Sequence, residues 1–237
     1  MDVYQINILK QFPQIKHAIS TKSFESMKKD DGSLHFANLM KFAKTQKFSA
    51  MPISMNQVHG TTVAMIENDR ELVLPATDSM ITNKKNLPLT IVTADCLPIL
   101  FYDPKNKAIG VAHAGRKGLA AGIIAEIIAV MQSAYDSDPK DIIVGIGPSI
   151  EKDCYEVDEK IVKGFEEAFP EFDGVFEKKA KKYFLDLRAT AQQSLQKEGI
   201  LEEHIEISEV CTKCDARFYS YRRGDKMGRF ATIISLV

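Results

Sequence analysis

Apolar positions in this chain fall into short continuous blocks separated by turn chemistry, with a few longer stretches of helical spacing between them. Residues 89–93 (LTIVT) and 109–112 (IGVA) are brief and rich in β-branched side chains. Asp103-Pro104 and Asn106 punctuate the ground between them, so both read as buried strands and as paired neighbours. Residues 3–9 and 15–21 read as two strands joined by a turn at Phe12-Pro13, and 61–66, 76–82, 141–147, 205–210 and 230–237 add further strand-like blocks. Lysines alternate with apolar residues at helical spacing over 39–48, which predicts a short amphipathic surface helix, and 156–169 and 185–198 predict two more. Residues 119–135 (LAAGIIAEIIAVMQSAY) are apolar on nearly every face, as a helix packed against a sheet is. The polar stretch 22–39, with Asp30-Asp31-Gly32, reads as a long loop, and the lysine run 178–182 as a solvated loop or helix end. Strands alternating with helices predict an α/β fold, a mixed sheet with packed helices, in a single domain over residues 1–237.

Chemistry gathers at the ends of these blocks. Ala94-Asp95-Cys96 follows 89–93, His113-Ala114-Gly115 follows 109–112, and Asn56-Gln57-Val58-His59-Gly60 leads into 61–66. One thiol and two imidazoles at three strand ends suit a tetrahedral zinc ion with an open fourth position. Taken singly, Cys96 and either histidine read equally well as buried core residues, so spacing alone leaves both readings open. Asp78 and Asp95 are the carboxylates available for proton transfer beside such a site. Lys22, Lys117 at the start of the 119–135 helix, and Arg222 in the glycine-bearing loop Tyr219-Ser220-Tyr221-Arg222-Arg223-Gly224 with Gly228-Arg229 are the cations that could grip an anion. Cys211-Thr212-Lys213-Cys214 has the spacing of half a zinc knuckle or a redox pair. Cys154 and His204 do not form a partner pair in the sequence, so Cys154, Cys211 and Cys214 are expected to be chemically dispensable.

Composition narrows the partners. With 31 basic and 32 acidic residues among 237, no global field draws in nucleic acid or an anionic membrane, and 45% hydrophobic content is ample for a core. No apolar run approaches the roughly 20 residues of a spanning helix. The first 19 residues carry charge and Pro13 where a secretory signal would be apolar, so a cytoplasmic protein is expected, with no nucleic-acid or membrane partner. Four cysteines in a chain this long do not make a disulfide scaffold. The oligomeric state is left open.

The motifs Asn56-Gln57-Val58-His59-Gly60, Thr93-Ala94-Asp95-Cys96-Leu97-Pro98, Ala112-His113-Ala114-Gly115, Gly147-Pro148-Ser149-Ile150 with Cys154-Tyr155-Glu156-Val157, and Ser220-Tyr221-Arg222-Arg223 resemble, in order and over nearly the whole chain, the bacterial YfiH/YlmD-type proteins. That family was once called multicopper polyphenol oxidases or laccases and is related to a mammalian laccase-domain protein. The resemblance implies a single-domain α/β fold and a metal, usually zinc with copper as the alternative, held by His59, Cys96 and His113. It also implies phosphorolysis of adenosine, inosine and methylthioadenosine, with an adenosine deaminase activity. Copper-dependent phenol oxidation and peptidoglycan-precursor editing are its other associations, and a non-catalytic zinc protein is the remaining alternative. Carried onto this chain, the motifs make Lys22, Asn38, Gln57, Lys117 and Arg222 the substrate contacts, with purine nucleosides and phosphate as partners. Two departures stand out: Arg116 occupies the family's Trp position, and Lys22 its Arg position, which keeps the charge and loses the bidentate fork. Five histidines are too few for a laccase with several coppers.

Overall fold

The computed structural model describes residues 2–237. The chain begins with β1 (Val3–Tyr4), α1 (Asn7–Lys10), β2 (Ile15–Ser20), α2 (Phe36–Thr45), β3 (Ser54–Met55), β4 (Val63–Met65) and β5 (Val73–Leu74). It continues with β6 (Ser79–Thr82), β7 (Leu89–Thr93), β8 (Leu97–Asp103), β9 (Ala108–Ala114), α3 (Arg116–Ala120), α4 (Ile123–Tyr135) and β10 (Ile143–Ile146). The last third holds β11 (Glu156–Val157), α5 (Glu159–Ala168), β12 (Phe176–Lys179), β13 (Lys182–Leu185), α6 (Leu187–Lys197), β14 (Ile205–Ile207) and β15 (Phe230–Leu236). The α/β class expected from the sequence is what the chain forms.

Two sheets carry the architecture. One runs β1-β2-β15-β7, and the other β14-β10-β8-β9-β6-β4. They pack face to face through one apolar layer in which Ile19, Leu89, Ile91 and Phe230 of the first meet Leu100, Tyr102, Ile109 and Val111 of the second. Alternate residues on the same strands serve the outer layers. Leu97, Ile99, Phe101 and Ala112 face Ile124, Ile127 and Ile128 of α4, while Val92, Ala231 and Ile233 face Leu39 and Phe42 of α2. Central strands are therefore apolar on both sides, which is why they appear in the sequence as unbroken hydrophobic runs rather than as alternation.

Several expected elements differ. The runs 89–93 and 109–112 are strands, but they do not pair. β7 joins β15 in one sheet, and β9 lies between β8 and β6 in the other. The intervening strand β8 includes Pro98, which sits beyond the end of the β10 pairing at Ile99, so its missing N–H breaks no ladder bond on that side. Residues 3–9 divide into β1 and α1, because the carboxylate of Glu206 accepts the first free N–H groups of α1 at Asn7 and Ile8. The 119–135 helix is two helices, broken where Gly122 takes φ +89°. The lysine run 178–182 lies at the turn of a β12–β13 hairpin. Stretch 22–39 is no free loop: Phe24 and Met27 are fully buried, and α2 begins at Phe36. No helix among the described residues is long and apolar enough to cross a membrane.

Candidate active site

Strand register assembles the site. β6 runs antiparallel to β9 with Ser79 opposite Ala112, which sets Asp78 against His113, and the His113 N–H donates to the Asp78 carbonyl at 2.8 Å. β8 pairs β9 with Leu97 opposite Ala114, so Cys96 leaves the sheet at the same edge. His59 arrives on the loop ahead of β4. The ligand atoms of His59, Cys96 and His113 all lie within 4.8 Å of one another, with His59 Nε2 at 3.9 Å from Cys96 Sγ.

One carboxylate orders both imidazoles. Asp78 is fully buried, and its Oδ1 stands 2.8 Å from His113 Nδ1, which leaves His113 Nε2 for the site. The same Oδ1 accepts from the His59 N–H at 3.0 Å, while Oδ2 accepts from the Val58 and Gly60 N–H groups. Burial raises the Asp78 pKa, and the His113 bond with the Gly60 and Val58 amides outweighs it, so the carboxyl is held below its usual range. Burial likewise pushes the Cys96 thiol up, yet His113 and His59 hold it at about 6, and His113 is raised to about 9 against its own burial by Cys96 and Asp78. A thiol, a carboxylate-oriented imidazole and a second imidazole are a donor set that could hold a tetrahedral metal ion, oriented from behind as metal-ligating histidines are.

The backbone around the cluster has been shaped for it. His59 at φ +62° and Asp95 at φ +95° both occupy a left-handed region that side chains rarely adopt. Gly115 leaves the space: a Cβ there would meet His59 Cδ2 at 2.9 Å and Cys96 Sγ at 3.0 Å. A cradle that one methyl group would fill fits a metal held by these three residues.

The cluster opens into a pocket of about 560 Å³, within the range of small-molecule sites. Lys28, Arg222, Lys226 and Arg229 bring four cations to its wall, and Tyr155 and Tyr221 two rings. None of the four cations joins an ion pair among the described residues; the nearby acids pair with Lys22, Arg217 and Arg223 instead. Burial and the Arg229 charge push the Lys28 ammonium down, as expected where positive charge is crowded.

Of the residues singled out from the sequence, His59, Cys96, His113, Asp95, Gln57 and Arg222 line this pocket. Asp95 binds the Thr212 hydroxyl at 2.6 Å and the Arg222 N–H at 2.8 Å, so it fixes the Arg222 loop from the wall. Gln57 exchanges two hydrogen bonds with the backbone of Val92, holding the edge of β7. Asp78 lies beneath the cluster rather than on the wall. Three others are placed elsewhere. Lys22 pairs with Asp225 at 3.1 Å and lies over the Tyr219 ring, Asn38 donates to the Ser26 carbonyl, and Lys117 is exposed outside the lining. Tyr221 and Arg229, part of the glycine-bearing loop read from the sequence as an anion grip, also line the pocket, whereas Lys28, Lys226 and Tyr155 carry no such signal in the sequence, because a lysine in an apparent loop shows nothing until the fold turns it inward.

A family described as "Multi-copper polyphenol oxidoreductase laccase" matches residues 16–237. The chain belongs to that family. It is 38% identical over 166 residues to purine nucleoside phosphorylase YlmD of Bacillus subtilis, covering 69% of this chain and 60% of that one. It is 33% identical over 182 residues to purine nucleoside phosphorylase YlmD of Geobacillus stearothermophilus, covering 72% of this chain and 66% of the relative. The two matches thus span 60% and 66% of the curated relatives, less than two thirds of each. The crystal structure of YlmD from Geobacillus stearothermophilus superposes with a TM-score of 0.85 at 28% identity, over 95% of this chain and 93% of the other. The sequence resemblance to YfiH/YlmD-type proteins and the α/β fold are both established by these matches.

Proposed function

We propose that this protein is a zinc-dependent purine nucleoside phosphorylase acting on adenosine, inosine and methylthioadenosine, with adenosine deamination as a side activity of the same pocket. The observation that carries the reading is the facing of His59, Cys96 and His113 by four cations without carboxylate partners across one pocket. A neutral nucleoside gives no reason to gather that charge. A phosphate co-substrate does, since its oxygens take several charge-assisted hydrogen bonds. The names of the curated relatives agree with it.

In phosphorolysis a phosphate oxygen forms a bond to ribose C1′ as the bond from C1′ to the purine nitrogen breaks, and the electron pair leaves with the base. The zinc, when bound by the three side chains, supplies Lewis acidity toward an oxygen or activates a water, which is what deamination needs. Lys28, Arg222, Lys226 and Arg229 hold the phosphate and offset its charge as the nucleophile is brought up. Tyr221, 47% exposed at the rim, offers a face on which a purine can lie. Asp78 keeps His113 in one tautomer, and Asp95, whose two oxygens accept from the Thr212 hydroxyl and the Arg222 N–H, holds the Arg222 loop over the pocket. Multi-copper phenol oxidation fits less well, because two imidazoles reach this site among the described residues and electron transfer through several coppers needs many more.

Inosine incubated with the protein should release hypoxanthine only when phosphate is present. Equal release without phosphate would make the protein a hydrolase instead.

A further inference from the structure

Sixty residues apart in sequence, Cys154 and Cys214 place their sulfurs 3.3 Å from each other, and Cys211 completes a group whose three sulfurs lie within 4.8 Å. All four cysteines of the chain are free. The N–H groups of Cys214 and Asp215 donate to the Cys211 carbonyl at 3.2 and 2.8 Å, closing the turn that carries the two sulfurs. The turn is also clamped from outside. Arg223 donates to the carbonyls of Thr212, Lys213 and Asp215, and Arg188 to those of Ser149 and Val210. Thiols held in this way are positioned before any ion arrives.

We propose that Cys154, Cys211 and Cys214 form a second metal site, separate from the His59–Cys96–His113 cluster, that takes a zinc ion through three thiolates. Cys214 is exposed, so the fourth tetrahedral position is left to a water. This proposal runs against the expectation that these cysteines are dispensable: Cys-x-x-Cys lacks a partner in the sequence, and the fold brings Cys154 to it from the turn ahead of β11.

The site joins two walls of the pocket. Cys154 immediately precedes Tyr155, whose ring lies 4.6 Å from the Arg222 guanidinium, and Arg222 also donates to the Glu156 carbonyl at 2.7 Å. Cys211 and Cys214 flank Thr212, which bonds Asp95. Binding an ion there ties the Tyr155 turn to the segment that leads to Arg222 by a connection that does not depend on substrate.

Zinc counted per chain tests this. The purified protein should hold two zinc ions, Cys214→Ser one and Cys96→Ser one. Cobalt gives a second reading that does not depend on Cys214→Ser folding. In Cys96→Ser the remaining three thiols are those of the second site, so cobalt-loaded Cys96→Ser should keep a thiolate-to-metal charge-transfer band in the near ultraviolet. A single zinc per chain that Cys214→Ser leaves in place, or no such band, would overturn the proposal. So would two titratable thiols instead of four in protein denatured with chelator and without reductant, which would show a Cys154–Cys214 disulfide.

Discussion

Asp78 Oδ1 stands 2.8 Å from His113 Nδ1, and both side chains are buried. Three backbone N–H groups of the His59 loop converge on the same carboxylate, so one residue behind the cluster sets the orientation of both imidazoles in front of it. Asp78→Asn keeps the volume but turns an NH2 group toward donors that need an acceptor. Such groups behind metal ligands typically contribute about 10–100-fold in metal affinity, and the unsatisfied bonds cost about 1–3 kcal/mol of stability. Competition with a zinc chelator should show the weakened site, while an unchanged affinity would assign Asp78 a purely structural place.

Gly115 offers a cleaner perturbation. Its φ of −87° and ψ of 172° suit any residue, so Gly115→Ala introduces no backbone strain. The added Cβ meets His59 and Cys96 at about 3 Å. The variant should fold with an unchanged circular dichroism spectrum and a melting temperature near that of the parent, yet bind zinc more weakly at the His59–Cys96–His113 site. Parent-like zinc affinity would show that the three ligands do not close together.

The cations of the pocket divide into those that face it and those already engaged. Replacing Lys28 or Arg229 by Gln removes a charge-assisted bond to phosphate, worth about 1.5–3 kcal/mol, which is about tenfold or more in affinity. Steady-state kinetics should show the phosphate KM rising by that factor with the nucleoside KM little changed. Lys117→Ala, on an exposed side chain outside the lining, should leave both constants alone. A phosphate KM that responds to Lys117 and not to Lys28 would move the anion site to the start of α3.

His17 makes the fold sensitive to acid far from the site. It is buried, its Nε2 accepts from the Ile6 N–H at 2.9 Å, and burial together with the Lys10 charge lowers its pKa to about 4 from an ordinary value near 6.5. Between those two values the unfolded chain binds the proton and the folded one does not, so stability is full above about 6.5 and falls as the pH drops toward 4. The shift corresponds to about 3 kcal/mol at its limit. Urea unfolding at pH 7.5 and pH 4.5 should show this fall for the parent, with a smaller one for His17→Gln. Equal falls in both would assign the acid sensitivity to other groups.

Much of this was legible in the sequence. Runs such as 89–93 and 230–237 are apolar on both faces because two sheets and two helical layers enclose them, and the motifs beside 61–66, 89–93 and 109–112 carry the three proposed ligands. What the sequence hid was tertiary. Glu206 caps α1 from 199 positions away, a relation no local pattern records. Phe24 and Met27 are buried within a stretch whose polarity signals a loop, and they hold Lys28 against the pocket. Cys154 meets the Cys-x-x-Cys pair because Ser149, five residues before it, bridges Cys211 in parallel, so its partnership is invisible to spacing.

The central claim is that the four-cation pocket above His59, Cys96 and His113 serves phosphate as a co-substrate. Phosphorus NMR of a reaction with inosine and inorganic phosphate tests it most directly, run alongside quantitation of free base. The account predicts one ribose 1-phosphate for each hypoxanthine released, with no ribose accumulating and no turnover by Cys96→Ser. Free ribose in place of ribose 1-phosphate, or hypoxanthine released at the same rate by Cys96→Ser, would contradict it.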